Sequence, residues 1–242
     1  MNTELSSITV SGIEVQVVRK AIKNLHLGVY PPNGRVRVAA PLAVSDQSVR
    51  LAVIGKIGWI RRKQARFEAQ PRQSKREMVS GESHYVWGRR YRLDVTHCIG
   101  RPSVYLRNKG TMDLHVRPGA TRENREATLH RWYRQLLRDE IPKLIAKWQP
   151  LLQANVADWG IKKMKTRWGT CNKAARRIWL NLELAKKSPS CLEYVFVHEM
   201  VHLLERRHND RFREYMDRLM PLWRSYREEL NRAPLSHESW SY

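Results

Sequence analysis

The chain has 242 residues, 42% of them hydrophobic and nine of them Trp, enough apolar material to bury the core of one large domain or two small ones. Lys and Arg number 45 against 23 Asp and Glu, a net charge of +22 that favours polyanionic partners such as nucleic acid, nucleotides or a phosphorylated surface. No apolar run approaches the ~20 residues that span a bilayer, and the N-terminal residues lack the apolar segment of a signal peptide, so no membrane association is expected.

Ile8 to Val18 alternates weakly and reads as strand. Leu25 to Tyr30 and Val36 to Ala40 flank Pro31-Pro32-Asn33-Gly34, a strong turn signal. Asp46 then opens a helical pattern that puts Val49, Val53, Ile57 and Ile60 on one face. Basic residues concentrate at Arg61-Arg62-Lys63, Arg66, Arg72 and Lys75-Arg76, either a solvated helix face and loop or a surface for a polyanion. Gln70 to Arg76 is a polar break containing Pro. Tyr85-Val86-Trp87 and Tyr91 to Val95 bracket Gly88 as a hairpin, and Val104 to Leu106 and Leu114 to Val116 add two short strands.

From Arg122 to Gln149 the period becomes helical, with Leu129, Trp132, Leu136, Leu144, Ile145 and Trp148 as the apolar stripe. Pro142 should kink or restart that helix. Ile161 to Lys165 and Ile178 to Asn181 read as strands on either side of Trp168-Gly169-Thr170-Cys171. A further helix begins near Pro189 with Ser188 as its cap. Two more helical stretches follow, divided near Pro221, and the residues from Ala233 look loosely attached. The sequence shows no internal repeat. Cys98, Cys171 and Cys191 have no CxxC spacing; they suit a reducing, cytoplasmic setting and argue against a Cys-type structural zinc site.

The chemistry concentrates at His198-Glu199-Met200-Val201-His202, an HExxH pattern. On a helix His198 and His202 share a face and can hold one ion, while Glu199 points aside toward a water on that ion. The pattern arises by accident in roughly 2 of 100 such chains, so its flanks matter. Val197, Met200, Val201 and Leu204 supply a packed stripe beside the histidines, which favours a rigidly held metal site over two incidental ones. His208, six residues on, is a candidate third ligand, with Glu205 a rival and Asp210 a weaker one. Metzincins share this spacing but place Gly where this chain has Glu205. Asn209 is suited to start the next helix, at about Phe212.

Thr166-Arg167-Trp168-Gly169-Thr170-Cys171, Ile178-Trp179-Leu180-Asn181, Tyr194 to Glu199 and His208-Asn209 stand in an order and spacing that resembles the YgjP-like metallopeptidase family, itself related to SprT-like zinc metalloproteases. The resemblance covers nearly the whole chain. Its RWGSC motif is RWGTC here, which keeps the hydroxyl, and a basic Arg207 precedes His208. The resemblance implies that His198, His202 and His208 bind zinc (Zn2+), that Glu199 is the catalytic base, and that Arg167 and Trp168 lie near the substrate. Trp168 and Gly169 also have a packing role available, as a ring against the helix and as a gap that permits close approach.

The expectation is therefore an α+β protein, with a β-rich region carrying one helix at residues 1–120 and a zincin-like catalytic domain, its HExxH on a helix, at residues 121–242. The expected activity is zinc-dependent hydrolysis of a protein or peptide in the cytoplasm, with the basic surface offering a place for nucleic acid nearby. Two alternatives remain: a metal-dependent nucleotide or phosphoester hydrolase, and a DNA-associated binding module with structural zinc. The absence of a P-loop and of a carboxylate cluster suited to magnesium weighs against the former. The open fourth position of a three-histidine site weighs against the latter.

Overall fold

A computed structural model describes residues 4–30, 33–69, 76–164 and 167–232, which form two compact units divided after residue 75. Pro31, Pro32, the break from Gln70 to Lys75 with Arg72, and the segment from Ala233 lie outside the described residues.

The first unit has strands β1 (Glu4–Val10), β2 (Ile13–Lys20), β3 (His26–Tyr30) and β4 (Arg35–Pro41), then helices α1 (Asp46–Ile54) and α2 (Ile57–Ala69). The alternation expected through Ile8 to Val18 is broken at Ser11 and Gly12, both in the left-handed region, which turn the chain back on itself. The helix expected from Asp46 through Ile60 is likewise two helices that part at Gly55. Ser45 caps α1 by accepting from the Ser48 amide at 3.2 Å. The sheet runs β1-β2-β4-β3, with β2 and β4 parallel and the other pairs antiparallel. Val15, Val17, Val36 and Val38 face Val49, Val53 and Ile60, because alternate strand residues share a face. Arg61 and Arg62 stand exposed on α2.

The second unit opens with β5 (Ser83–Val86), β6 (Arg89–His97), β7 (Ser103–Leu106) and β8 (Thr111–Val116). Their order, β5-β6-β8-β7 with β6 and β8 parallel, repeats the topology of the first sheet. Sequence periodicity does not reveal this repeat, since the topology recurs without a recurring pattern of residues. Trp87 and Gly88, at φ 49° and 80°, make the tight β5–β6 turn. The amides of Trp87 and Gly88 donate to the carbonyls of Ala185 and Lys186 in a 3-10 segment, Leu182–Lys186.

Helix α3 (Arg122–Leu152) is capped by Thr121, whose hydroxyl accepts from the Asn124 amide at 3.3 Å. Pro142 does not restart it; the helix is continuous for 31 residues. Leu137, Ile141 and Trp148 are buried on both sides of the proline, and Trp148 Nε1 donates to Glu193 at 2.8 Å, so packing offsets the lost backbone bond. A three-stranded sheet follows in the order β10-β11-β9, from β9 (Asp158–Lys162), β10 (Gly169–Asn172) and β11 (Arg177–Asn181). Strand β9 lies three residues upstream of the expected Ile161 to Lys165, and Lys165 is outside the described residues. The chain ends its described course with α4 (Pro189–Leu204), α5 (Asp210–Leu219) and α6 (Trp223–Arg232).

One core joins β6 and β8 through Leu93, Met112 and Leu114 to α3 through Leu129, Tyr133 and Leu137, and to α4 through Phe196, Val197 and Met200. The division between units therefore lies near residue 75 and not at 120, and two helices, not one, precede residue 120. Thr121 marks the start of a helix, not of a domain. The apolar face of β5–β8 is one-sided and needs α3 to cover it.

Candidate metal centre

Helix α4 begins at Ser188, whose hydroxyl accepts from the Cys191 amide at 3.3 Å, and Pro189 occupies the first turn, where its missing N–H costs nothing. Nine of its residues are buried, so it is apolar nearly all round, as a central helix must be. Three polar side chains interrupt that surface on its last two turns: His198, Glu199 and His202.

The helix stops at Glu205, which leaves in extended conformation at φ −125° and ψ 117°. No left-handed residue is needed there, which is how the chain turns without the Gly of metzincins. Residues 205–209 then carry His208 back over the helix, and Asn209 opens α5 by accepting from the Phe212 amide at 3.0 Å. That cap places the buried Phe212 ring beneath all three imidazoles, at 4.9, 4.8 and 4.7 Å from the rings of His198, His202 and His208.

The donor atoms of the three histidines lie within 4.8 Å of one another. His198 Nε2 and His208 Nε2 are 3.0 Å apart. Two neutral imidazole lone pairs at that distance repel unless a proton or a cation sits between them. His202 Nδ1 lies 3.0 Å from the Glu205 carbonyl, a partner that accepts, so Nδ1 carries the proton and Nε2 is left to ligate. Among the described residues His198 Nδ1 is buried without a partner. Burial, with His202 and His208 adding, pushes the pKa of His198 down to about 3, and burial lowers that of His208 as well. Neutral imidazole is the form a metal ion needs, so the donor set fits a cation.

The rival third ligands are occupied elsewhere. Glu205 Oε1 accepts from the Arg207 amide at 3.1 Å, and Asp210 pairs with Arg213 at 2.6 Å. The structure brings His208, not these acids, to His198 and His202.

Glu199 is 7% exposed, and burial raises its carboxyl pKa to about 7 against the opposing field of Arg167. Its place depends on Gly169 at the start of β10. A Cβ on Gly169 would come within 2.7 Å of Glu199 Cγ and 2.8 Å of Oε1. Cys171, two residues on, has its thiol pushed up to about 11 by burial and by Glu199. Both line an open cavity of about 1050 Å³ together with the histidines, Arg167, Trp168 and Tyr194. Arg167 is exposed, whereas Trp168 is half-buried with its carbonyl accepting from the Asn181 amide at 2.9 Å. Thr166, which precedes them in the motif, is outside the described residues.

Asn181 emerges from the structure with a role that its place in a strand motif does not reveal. It is 4% exposed, and its Nδ2 donates to the carbonyls of Met164 at 2.7 Å and Arg167 at 2.8 Å. Its Oδ1 accepts from the amides of Met164 and Glu183. One side chain thus ties Met164 and Arg167, between β9 and β10, to the 3-10 segment. An Asn at a strand end directly before a helical turn was the only signal for it. Phe212 left no signal beyond apolarity.

The family comparison agrees with this geometry. The chain belongs to the YgjP-like metallopeptidase family, whose domain matches residues 23–233. A comparison with curated proteins returns no significant match.

Proposed function

We propose that this member of the YgjP-like metallopeptidase family is a zinc-dependent peptidase with a zincin-like catalytic unit, in which His198, His202 and His208 hold the ion and Glu199 moves the proton. The observation that carries the reading is the close approach of three imidazoles beside one buried carboxyl group. Three histidines without a fourth protein donor among the described residues suit zinc in a catalytic setting, where one position stays open. When bound, the ion acidifies water and polarises a carbonyl.

The residues of the chain do the rest. Glu199 accepts the proton of the attacking water and returns it to the departing amine, both within reach of its buried position beside the histidines. Gly169 keeps that carboxylate in place. Among the described residues β10 has a neighbour, β11, on one side only, so an extended peptide can add to its free edge by main-chain hydrogen bonds. Arg167 and Trp168 stand where such a peptide would pass. The surplus of 22 positive charges supports work near a polyanion such as nucleic acid, and three free cysteines support a reducing, cytoplasmic setting.

The test compares the wild-type protein with Glu199→Gln on a casein-like substrate, before and after chelation. Wild-type cleavage should stop with chelator and return with zinc. Glu199→Gln should keep its zinc and lose at least roughly 10²-fold in turnover. Full activity in that variant, or indifference to chelator, rejects the reading.

A further inference from the structure

Three cations from three separate segments converge on the cavity beside the histidines. Arg167 comes from the segment before β10, Lys173 from the β10–β11 turn, and Arg206 from the loop after α4. Among the described residues the one acid in that wall is Glu199, which is buried and belongs to the reacting centre. With 45 basic residues against 23 acids, unpaired cations are expected somewhere, so lack of pairing alone decides little. Convergence does.

Arg167 and Arg206 are exposed and make no ion pair with any described residue. Lys173 Nζ donates to the Leu204 carbonyl at 3.0 Å, which holds the side chain at the cavity without a direct ion pair to any described residue. Of the acids in the neighbouring loop, Asp210 is paired with Arg213, and Glu205, which feels the fields of Arg211 and Lys173, offsets only part of the charge, so the wall stays net positive.

Resting on the peptidase reading, we propose that this wall selects substrates with Asp or Glu side chains flanking the bond to be cut, the carboxylates being received by Arg167, Lys173 and Arg206. Nucleic acid fits the wall less well. Single strands are held by exposed aromatic faces on which bases stack. Here Trp168 is half-buried, and Tyr194 is 6% exposed, stacked 6.3 Å from Trp223.

The experiment measures binding of two fluorescent peptides of one sequence, flanked by Glu and Asp or by Gln and Asn, to zinc-loaded Glu199→Gln protein. Cleavage of the same pair is followed with the wild-type enzyme. The acidic peptide should bind about tenfold tighter at low salt, as two or three exposed charge pairs allow. The gap should narrow at about 300 mM salt, and Arg167→Gln with Arg206→Gln should largely erase it. Equal binding of the two peptides, or a preference that survives the double substitution, overturns the inference. So does displacement of the acidic peptide by an oligonucleotide or a nucleoside triphosphate at lower concentration than by unlabelled peptide. Cleavage of both peptides at equal rates rejects acidic selection and keeps the peptidase. Preferential binding without any cleavage by wild type does the reverse.

Discussion

Gly169 is the position where one added methyl group should separate catalysis from metal binding. Its backbone lies outside the left-handed region, so Ala is conformationally tolerated, and only the new Cβ matters. That atom would sit 2.7 Å from Glu199 Cγ, about 0.7 Å short of ordinary van der Waals contact. Glu199 has little room to retreat, being 7% exposed and followed on α4 by Met200 and Val201, both fully buried. The carboxylate or strand β10 must then move by a large fraction of an ångström. A misplacement of about 1 Å costs roughly 10²-fold in rate, or about 2.7 kcal/mol of barrier. Overpacking of this kind destabilises by about 1–3 kcal/mol, partly offset by the gain of replacing Gly within a strand. The assay is kcat/KM on a cleavable peptide, run beside zinc content and Tm. Zinc should remain stoichiometric while kcat/KM falls about 100-fold. Glu199→Ala removes Cγ and the carboxyl and with them the contact, so Gly169→Ala should lower Tm much less in that background. Wild-type kcat/KM in Gly169→Ala, or an undiminished fall in Tm in the Ala background, refutes the role assigned to this contact.

Two further outcomes concern the support of the site. Asn181→Ala strands the Met164 and Arg167 carbonyls and should cost about 2–4 kcal/mol, read as a lowered Tm; an unchanged Tm would show that the four hydrogen bonds contribute nothing net. His84 and His130 are held at a pKa of about 4, in both cases chiefly by burial, so the folded protein resists protonation that the unfolded chain accepts at 6.5. Their contribution to stability is complete above pH 6.5 and is lost as pH falls from 6.5 toward 4, at about 3–4 kcal/mol each as an upper bound. In chelated protein the urea midpoint should fall across that window, and His84→Gln with His130→Gln should flatten the fall; an identical pH profile in the variant contradicts the assignment.

Features with a short-range cause were legible in the residues alone. The Ser188–Pro189 start of α4, the Asn209 cap of α5 and the Gly88 hairpin depend on groups only a few positions apart, and so does the shared face of His198 and His202. Local hydrogen bonding and backbone sterics decide such features before any tertiary contact forms. The boundary at residue 75, the unbroken α3 through Pro142, and the repeated strand order with its parallel central pair were not legible. Each is settled by which apolar faces find each other across long loops, and local pattern carries no record of that choice. The same holds inside the metal centre. HExxH names two histidines and a carboxylate, but only the folded chain brings Gly169 against Glu199, thirty residues away, slides Phe212 under three imidazoles, and draws His208 inward while Glu205 turns to its own loop. The sequence determined which groups could do the chemistry. Packing decided which of them meet, because meeting requires a shared core to hold distant segments at contact distance.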